Sequence, residues 1–165
     1  MNELKNYEHG LITNLLNPCR EEIVKEKFQQ LGEIKKIKHT NKHKIFDFIM
    51  KERKILIEVT STNLIFPYKN NNPKQRIIRA LKHILSKEKY DKFRVIGIIF
   101  IDLVHAELMK LFKYVPSNIL KIYEIDCLVL VCEKSYKDLL NTKIYFNSNF
   151  TEQEKKEIKV ILNGI

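Results

Sequence analysis

The sequence predicts an α/β fold, a mixed β-sheet flanked by helices. Three observations predict it. Two strand-like segments, 45–50 and 55–61, flank the charged tip Lys51-Glu52-Arg53-Lys54, which reads as a β-hairpin. Two nearly all-apolar runs, Val95–Ile101 and Leu128–Cys132, have the length and content of strands covered on both faces. Between and around them lie segments with apolar residues at helical spacing. A hairpin followed by β-α-β crossovers implies a sheet that mixes antiparallel and parallel neighbours.

The elements follow in order. Leu4, Tyr7, Leu11, Ile12, Leu15 and Leu16 predict an amphipathic helix over 3–16. Asn17-Pro18 stops it and starts a second, with Asn as N-cap and Pro at the first helical position. That helix, about 18–31, carries Val24, Phe28 and Leu31 as its stripe and ends near Gly32. Ile34 to His39 is a short strand, followed by the hairpin. The segment 63–72, with three Asn before Pro73, is a loop. Pro73 opens a helix running to about 89, with Ile77, Ile78, Leu81, Ile84 and Leu85 as its apolar stripe. A strand over 95–101, a helix over 103–113 and a strand over 128–132 come next. Thr151-Glu152-Gln153-Glu154 is a capping box that opens a last helix over 151–162.

The chain has 165 residues, the size of one domain. At that length roughly 68–70% of the unfolded surface is buried, enough for a core without disulfides or metals. The hydrophobic fraction of 44% and charged fraction of 30% are those of a globular protein. No apolar run approaches the ~20 residues that span a bilayer. The start, MNELKNYEHG, lacks a basic then apolar leader, and a cytoplasmic location is expected. Cys19, Cys127 and Cys132 show no metal spacing and read as reduced, mostly buried thiols. The five histidines form no close ligand pair, and four glycines are too few for a P-loop or dinucleotide fingerprint.

The net charge of +10 is concentrated. Residues 35–94 hold 17 Lys or Arg against five Asp or Glu, a net of +12, and the other 105 residues carry a net of −2. A block of this kind attracts polyanions, of which nucleic acid is the commonest partner. A solvated, Lys-rich face is the ordinary alternative.

Two acids sit where strands disfavour them: Asp47 within Ile45–Ile49 and Glu58 within Ile55–Val59. With a two-residue turn at Glu52-Arg53, opposed residues sum to 105, which makes Asp47 and Glu58 direct cross-strand neighbours. Their Cβ atoms would lie about 4.5–5.5 Å apart, and the like charges would repel. A divalent cation such as Mg²⁺, which takes hard oxygen ligands from one or two carboxylates, gives one reason for the pair. Pairing of each acid with a Lys or Arg, or exposure at a sheet edge, gives another.

Asp47, then about ten residues, then Ile-Leu-Ile-Glu58-Val59-Thr60 resembles the core of the PD-(D/E)xK nuclease superfamily. The pattern is most similar to archaeal Holliday-junction resolvases and their restriction-endonuclease-like relatives, over about residues 19–101. The resemblance implies a restriction-endonuclease-like αβββαβ core, here with an extra N-terminal helix and a C-terminal α/β extension. It implies a divalent-metal-dependent DNA endonuclease using Mg²⁺ or Mn²⁺, with Asp47, Glu58, the Val59 carbonyl and a helical Glu around the metal. Glu21, at the edge of the apolar stripe, is the first choice for that Glu, and Glu8 is the second. A homodimer would suit a substrate cut symmetrically.

The family's motif Lys, which orients the attacking water, is Thr60 here. Thr carries no positive charge. Lys74, at the start of the next helix, is the candidate substitute. Otherwise metal and substrate phosphate suffice alone, or the protein is catalytically degenerate and only binds nucleic acid. Lys74, Gln75, Arg76 and Arg79 resemble the family's following helix, where Gln75, Arg79 and Lys82 share a face opposite Ile77 and Ile84. Lys42, Lys44 and Lys69 lie in the basic loops expected to track the phosphate backbone. A protein-interaction module using the C-terminal helix is a third, separate reading.

Overall fold

A computed structural model describes residues 18–38, 45–62, 73–103, 118–134 and 141–163. The described residues form a six-stranded open sheet in sequence order with four helices. The helices are α1 (18–28), α2 (Pro73–Leu85), α3 (Ile119–Ile122) and α4 (Glu152–Leu162). The strands are β1 (Lys35–Lys36), β2 (Phe48–Met50), β3 (Ile55–Ser61), β4 (Arg94–Leu103), β5 (Cys127–Lys134) and β6 (Asn141–Phe146). β1, β2 and β3 are antiparallel neighbours, β3–β4 and β4–β5 are parallel, and β6 returns antiparallel to β5. The sheet is therefore mixed, as the hairpin and the two apolar runs predict.

Alternation along the strands divides the core into two layers. On one face, Ile55, Ile57, Ile96, Ile98, Val129 and Val131 pack with Val24 and Phe28 of α1 and with Ile158, Ile161 and Leu162 of α4. On the other, Leu56, Val95, Ile99, Leu128 and Leu130 pack with Ile77, Ala80, Leu81 and Ile84 of α2. The α2 stripe is thus 77, 80, 81 and 84. Ile78 is half-buried and Leu85 exposed, a small rotation from the expected stripe, because Ala80 faces the sheet. Gly97 sets the approach of α2. A Cβ there would lie 2.7 Å from Ile84 Cδ1, so its absence lets the end of α2 sit close to β4.

Several boundaries differ from the sequence reading. Helix α1 ends at residue 28 and tightens into a 3₁₀ turn, Gln29–Leu31, before Gly32 at φ 145°. The hairpin loop holds four residues, 51–54, not two. Its Lys54 N–H bonds the Lys51 carbonyl and Lys54 takes φ 51°. The first pair is Met50↔Ile55, so the sum of 105 survives: the two extra residues lie symmetrically about the turn. β1 is shorter than 34–39. β6 and α3 were not anticipated. α2 ends at Leu85 rather than 89. Cys19 is exposed, whereas Cys127 is buried in the core, where burial pushes its thiol up and keeps it protonated. The capping box at Thr151 and Glu154 is present, with both reciprocal bonds. The expected helices over 3–16 and 103–113 lie outside the described residues. No helix among the described residues is long and apolar enough to cross a membrane.

Candidate functional site

β3 carries Glu58 on the face it shares with Leu56, towards α2. In the parallel register Glu58 stands beside Gly97, the position over which Ile84 packs. This close packing brings the last turn of α2 to the carboxylate. Glu58 is only 2% exposed. Its Oε1 lies 3.0 Å from His83 Nε2 and 3.0 Å from Lys87 Nζ. Lys87 follows α2 directly, is itself buried, and also donates to the Ile45 carbonyl at 3.0 Å. Glu58 Oε2 is buried and has no hydrogen-bond partner among the described residues.

Asp47 occupies a bend immediately before β2, 4% exposed. It stands one position beyond the last β2–β3 rung, Phe48↔Ile57, so the next rung would pair it with Glu58. Instead of continuing the ladder, its Oδ2 accepts the Val59 N–H at 2.8 Å. The Asp47 carbonyl accepts the Ile37 N–H from the other side. Asp47 therefore ties three chain segments. Burial, then the Glu58 charge, pushes its carboxyl from the ordinary 3.8 up to about 6. The Val59 N–H and Lys87 pull the other way, and Glu21 adds to the rise.

The Glu21 contribution places this α1 residue beside the pair. Glu21 is half-buried, while Glu22 is exposed, as the stripe phase predicts. Its Oε2 makes a 2.6 Å ion pair with Lys36 Nζ on β1. That hydrogen bond raises the Lys36 ammonium above its usual range, and Asp47 adds to the effect. Three acids and two lysines, from α1, β1, the bend before β2, β3 and the segment after α2, thus interact around Asp47 and Glu58.

Of the other sequence-predicted residues, Thr60 is half-buried two positions beyond Glu58 on the same face of β3, paired with Ile99. Val59 is half-buried against the opposite layer and gives its amide to Asp47. Gln75, Arg79 and Lys82 are exposed on α2, opposite Ile77 and Ile84. Lys74 and Arg76 are helical in backbone, and their side chains lie outside the described residues, as do Glu8, Lys42, Lys44 and Lys69 altogether. Sequence reasoning missed His83, Lys87 and Lys36. The four-residue spacing of His83 and Lys87, flanking the buried Ile84, is the signal that places both near the carboxylate face.

The buried donors are suited to a hard cation. One carboxylate has an oxygen with no hydrogen-bond partner among the described residues, the other is raised by burial and then by the first, and both offer the hard oxygen donors that divalent cations take. Among the described residues no group of three or more His, Cys, Asp or Glu side chains is arranged to hold a metal. Comparison with family models, curated proteins and solved structures found no match to this chain.

Proposed function

We propose that this chain is a divalent-metal-dependent DNA endonuclease, with the restriction-endonuclease-like core that its motif resembles. The observation that carries the reading is the buried acid pair: Glu58 Oε2 without a partner, beside an Asp47 carboxyl held near 6. The element order α1-β1-β2-β3-α2-β4, with β3 parallel to β4, supports the αβββαβ assignment. The charge block over 35–94 supports a polyanionic substrate.

Asp47 and Glu58 would hold the ion, and Glu21 would hold a ligating water. When bound, Mg²⁺ or Mn²⁺ supplies an activated water and stabilises charge on the phosphoryl and leaving oxygens. The chain's own residues do the rest. The Val59 amide fixes Asp47 at the end of the ladder. Lys87 takes up positive charge beside Glu58, where Thr60 cannot, and replaces Lys74 as the substitute we favour for the motif lysine. Gln75, Arg79 and Lys82 on the exposed face of α2 would contact phosphates, Arg as a fork and Lys as a point charge. A duplex cut on both strands would engage two copies of the chain.

One observation favours a second reading, nucleic-acid binding without catalysis. Lys87 already stands on Glu58 as a built-in cation, and Thr60 leaves the water without a charged partner. Incubation of single-stranded, duplex, flap and four-way DNA with Mg²⁺, Mn²⁺ or EDTA separates the two. Metal-dependent cutting that Asp47→Asn and Glu58→Gln both abolish is the expected result. Salt-sensitive binding without cutting, unchanged in both variants, sinks the nuclease reading and leaves the binding protein.

A further inference from the structure

The carboxylate of Glu58 is treated unequally. His83 Nε2 hydrogen-bonds Oε1 at 3.0 Å and Lys87 Nζ forms an ion pair with the same oxygen at 3.0 Å, while Oε2 has no hydrogen-bond partner among the described residues. Buried polar atoms are ordinarily paired, so a buried carboxylate with both donors on one oxygen is an arrangement that needs a reason. The other features of the site make the one-sidedness mechanically firm. Lys87 is anchored a second time on the Ile45 carbonyl. Ile84, between the two donors in sequence, is wedged over Gly97 beside Glu58. Rotation of the carboxylate away from this geometry would break the His83 hydrogen bond and lengthen the Lys87 ion pair.

His83 is the informative member. A carboxylate only accepts, so the ring donates through Nε2–H, and this assigns its tautomer. The ring stays 51% exposed, on the same solvent face of α2 as Arg79 and Lys82. Its burial therefore contributes little to the core. We infer that His83 is a positioning residue: with Lys87 it holds Glu58 by Oε1 so that Oε2 is kept for a divalent cation. The inference rests on the reading of Asp47 and Glu58 as a cation site, and it adds a residue to that site. Partners that orient a ligand in this way typically change metal affinity by 10–100-fold when removed.

The test is titration of the full chain with Mn²⁺ alone, by calorimetry, at pH 8. His83→Ala is expected to bind Mn²⁺ about 10-fold more weakly, and His83→Gln, whose amide can donate to the same oxygen, within about threefold of wild type. Loss of the bond to buried Glu58 should lower the melting temperature of His83→Ala, and His83→Gln should recover part of it. Wild-type affinity in His83→Ala, while Asp47→Asn loses binding, overturns the positioning role alone. Equal weakening in His83→Ala and His83→Gln also overturns it, since the donated bond then does not matter. Wild-type binding that is absent, or that Asp47→Asn leaves unchanged, overturns the cation-site reading and the inference with it.

Discussion

Replacing Asp47 by Asn should make the protein more stable at pH 8 and no different near pH 4. Asn keeps the shape and an oxygen to accept the Val59 N–H now held at 2.8 Å. It removes a charge that burial and Glu58 disfavour. The magnitude follows from the titration. The folded carboxyl is raised from 3.8 to about 6. At 1.36 kcal/mol per pH unit, that shift amounts to ~3 kcal/mol of unfavourable ionisation in the folded state.

The sign is opposite to that of a salt-bridged acid. The folded state binds the proton more tightly than the unfolded chain, so the penalty is absent below about 3.8. It grows as pH rises and is complete above about 6. Other acids confuse the wild-type curve: Glu154, hydrogen-bonded by Arg94, lies below its usual range and contributes stability that is lost on acidification. The difference between variant and wild type cancels such terms. The assay is urea unfolding followed by circular dichroism at several pH values from 4 to 8. We expect Asp47→Asn to gain up to ~3 kcal/mol at pH 8, with the gain vanishing towards pH 4. Saturating Mg²⁺ should stabilise the wild type by mass action and leave the variant unmoved. A variant less stable than wild type at pH 8, or a difference that does not vary with pH, refutes the reasoning.

Three further outcomes follow from the same packing. Lys87→Met leaves buried Glu58 without its ammonium and should cost about 3 kcal/mol at pH 8 in the same unfolding assay. Carboxyl NMR should then show Asp47 titrating above its present value of about 6, because Lys87 now holds it down. Gly97→Ala puts a methyl 2.7 Å from Ile84 Cδ1 and should cost about 1 kcal/mol in thermal unfolding, the lower end for overpacking, since that atom is a side-chain tip. Arg94→Ala removes a 2.6 Å ion pair to Glu154, bonds to the Arg53 and Asn149 carbonyls, and a guanidinium 4.4 Å over the Phe150 ring. It should cost about 2 kcal/mol and expose α4 first, visible as faster amide exchange over Glu152–Leu162.

The parts legible in the sequence are those fixed by local period. The central strands read as apolar runs because both their faces are covered. Glu21 was legible by helical phase against Val24 and Phe28. The register of the hairpin was legible even though the loop length was misjudged, since any loop centred between Glu52 and Arg53 preserves it, but the ladder stops at Phe48↔Ile57, one position short of Asp47 and Glu58. What escaped depends on tertiary packing or on shortness. β6 alternates Lys143 with half-buried neighbours at a sheet edge and shows no apolar run. α3 has four residues, too few for a period. Lys87 and His83 were hidden among 17 basic residues in their block, and only the seat of Ile84 over Gly97 distinguishes them.

The energetics of the acid pair bear on whether it serves the fold. Capping the Val59 amide and joining β1 to β2 needs an acceptor at position 47 and a backbone carbonyl, and a neutral Asn supplies both. The negative charge adds nothing to that role and sets the folded state back by ~3 kcal/mol above pH 6. Glu58 adds a second cost, a buried oxygen without a partner among the described residues, in a layer whose buried residues are Leu, Ile, Val, Ala and Phe. Lys87 offsets part of the charge but engages only Oε1. Both costs therefore fall at neighbouring positions, just past the last β2–β3 rung and within the most basic block of the chain. A structural salt bridge would have placed its cation between the two acids. Here Lys87 pairs with Glu58 and also lowers the Asp47 carboxyl, yet that carboxyl stays raised and Glu58 Oε2 stays without a partner among the described residues, the pattern expected under the proposed cation site.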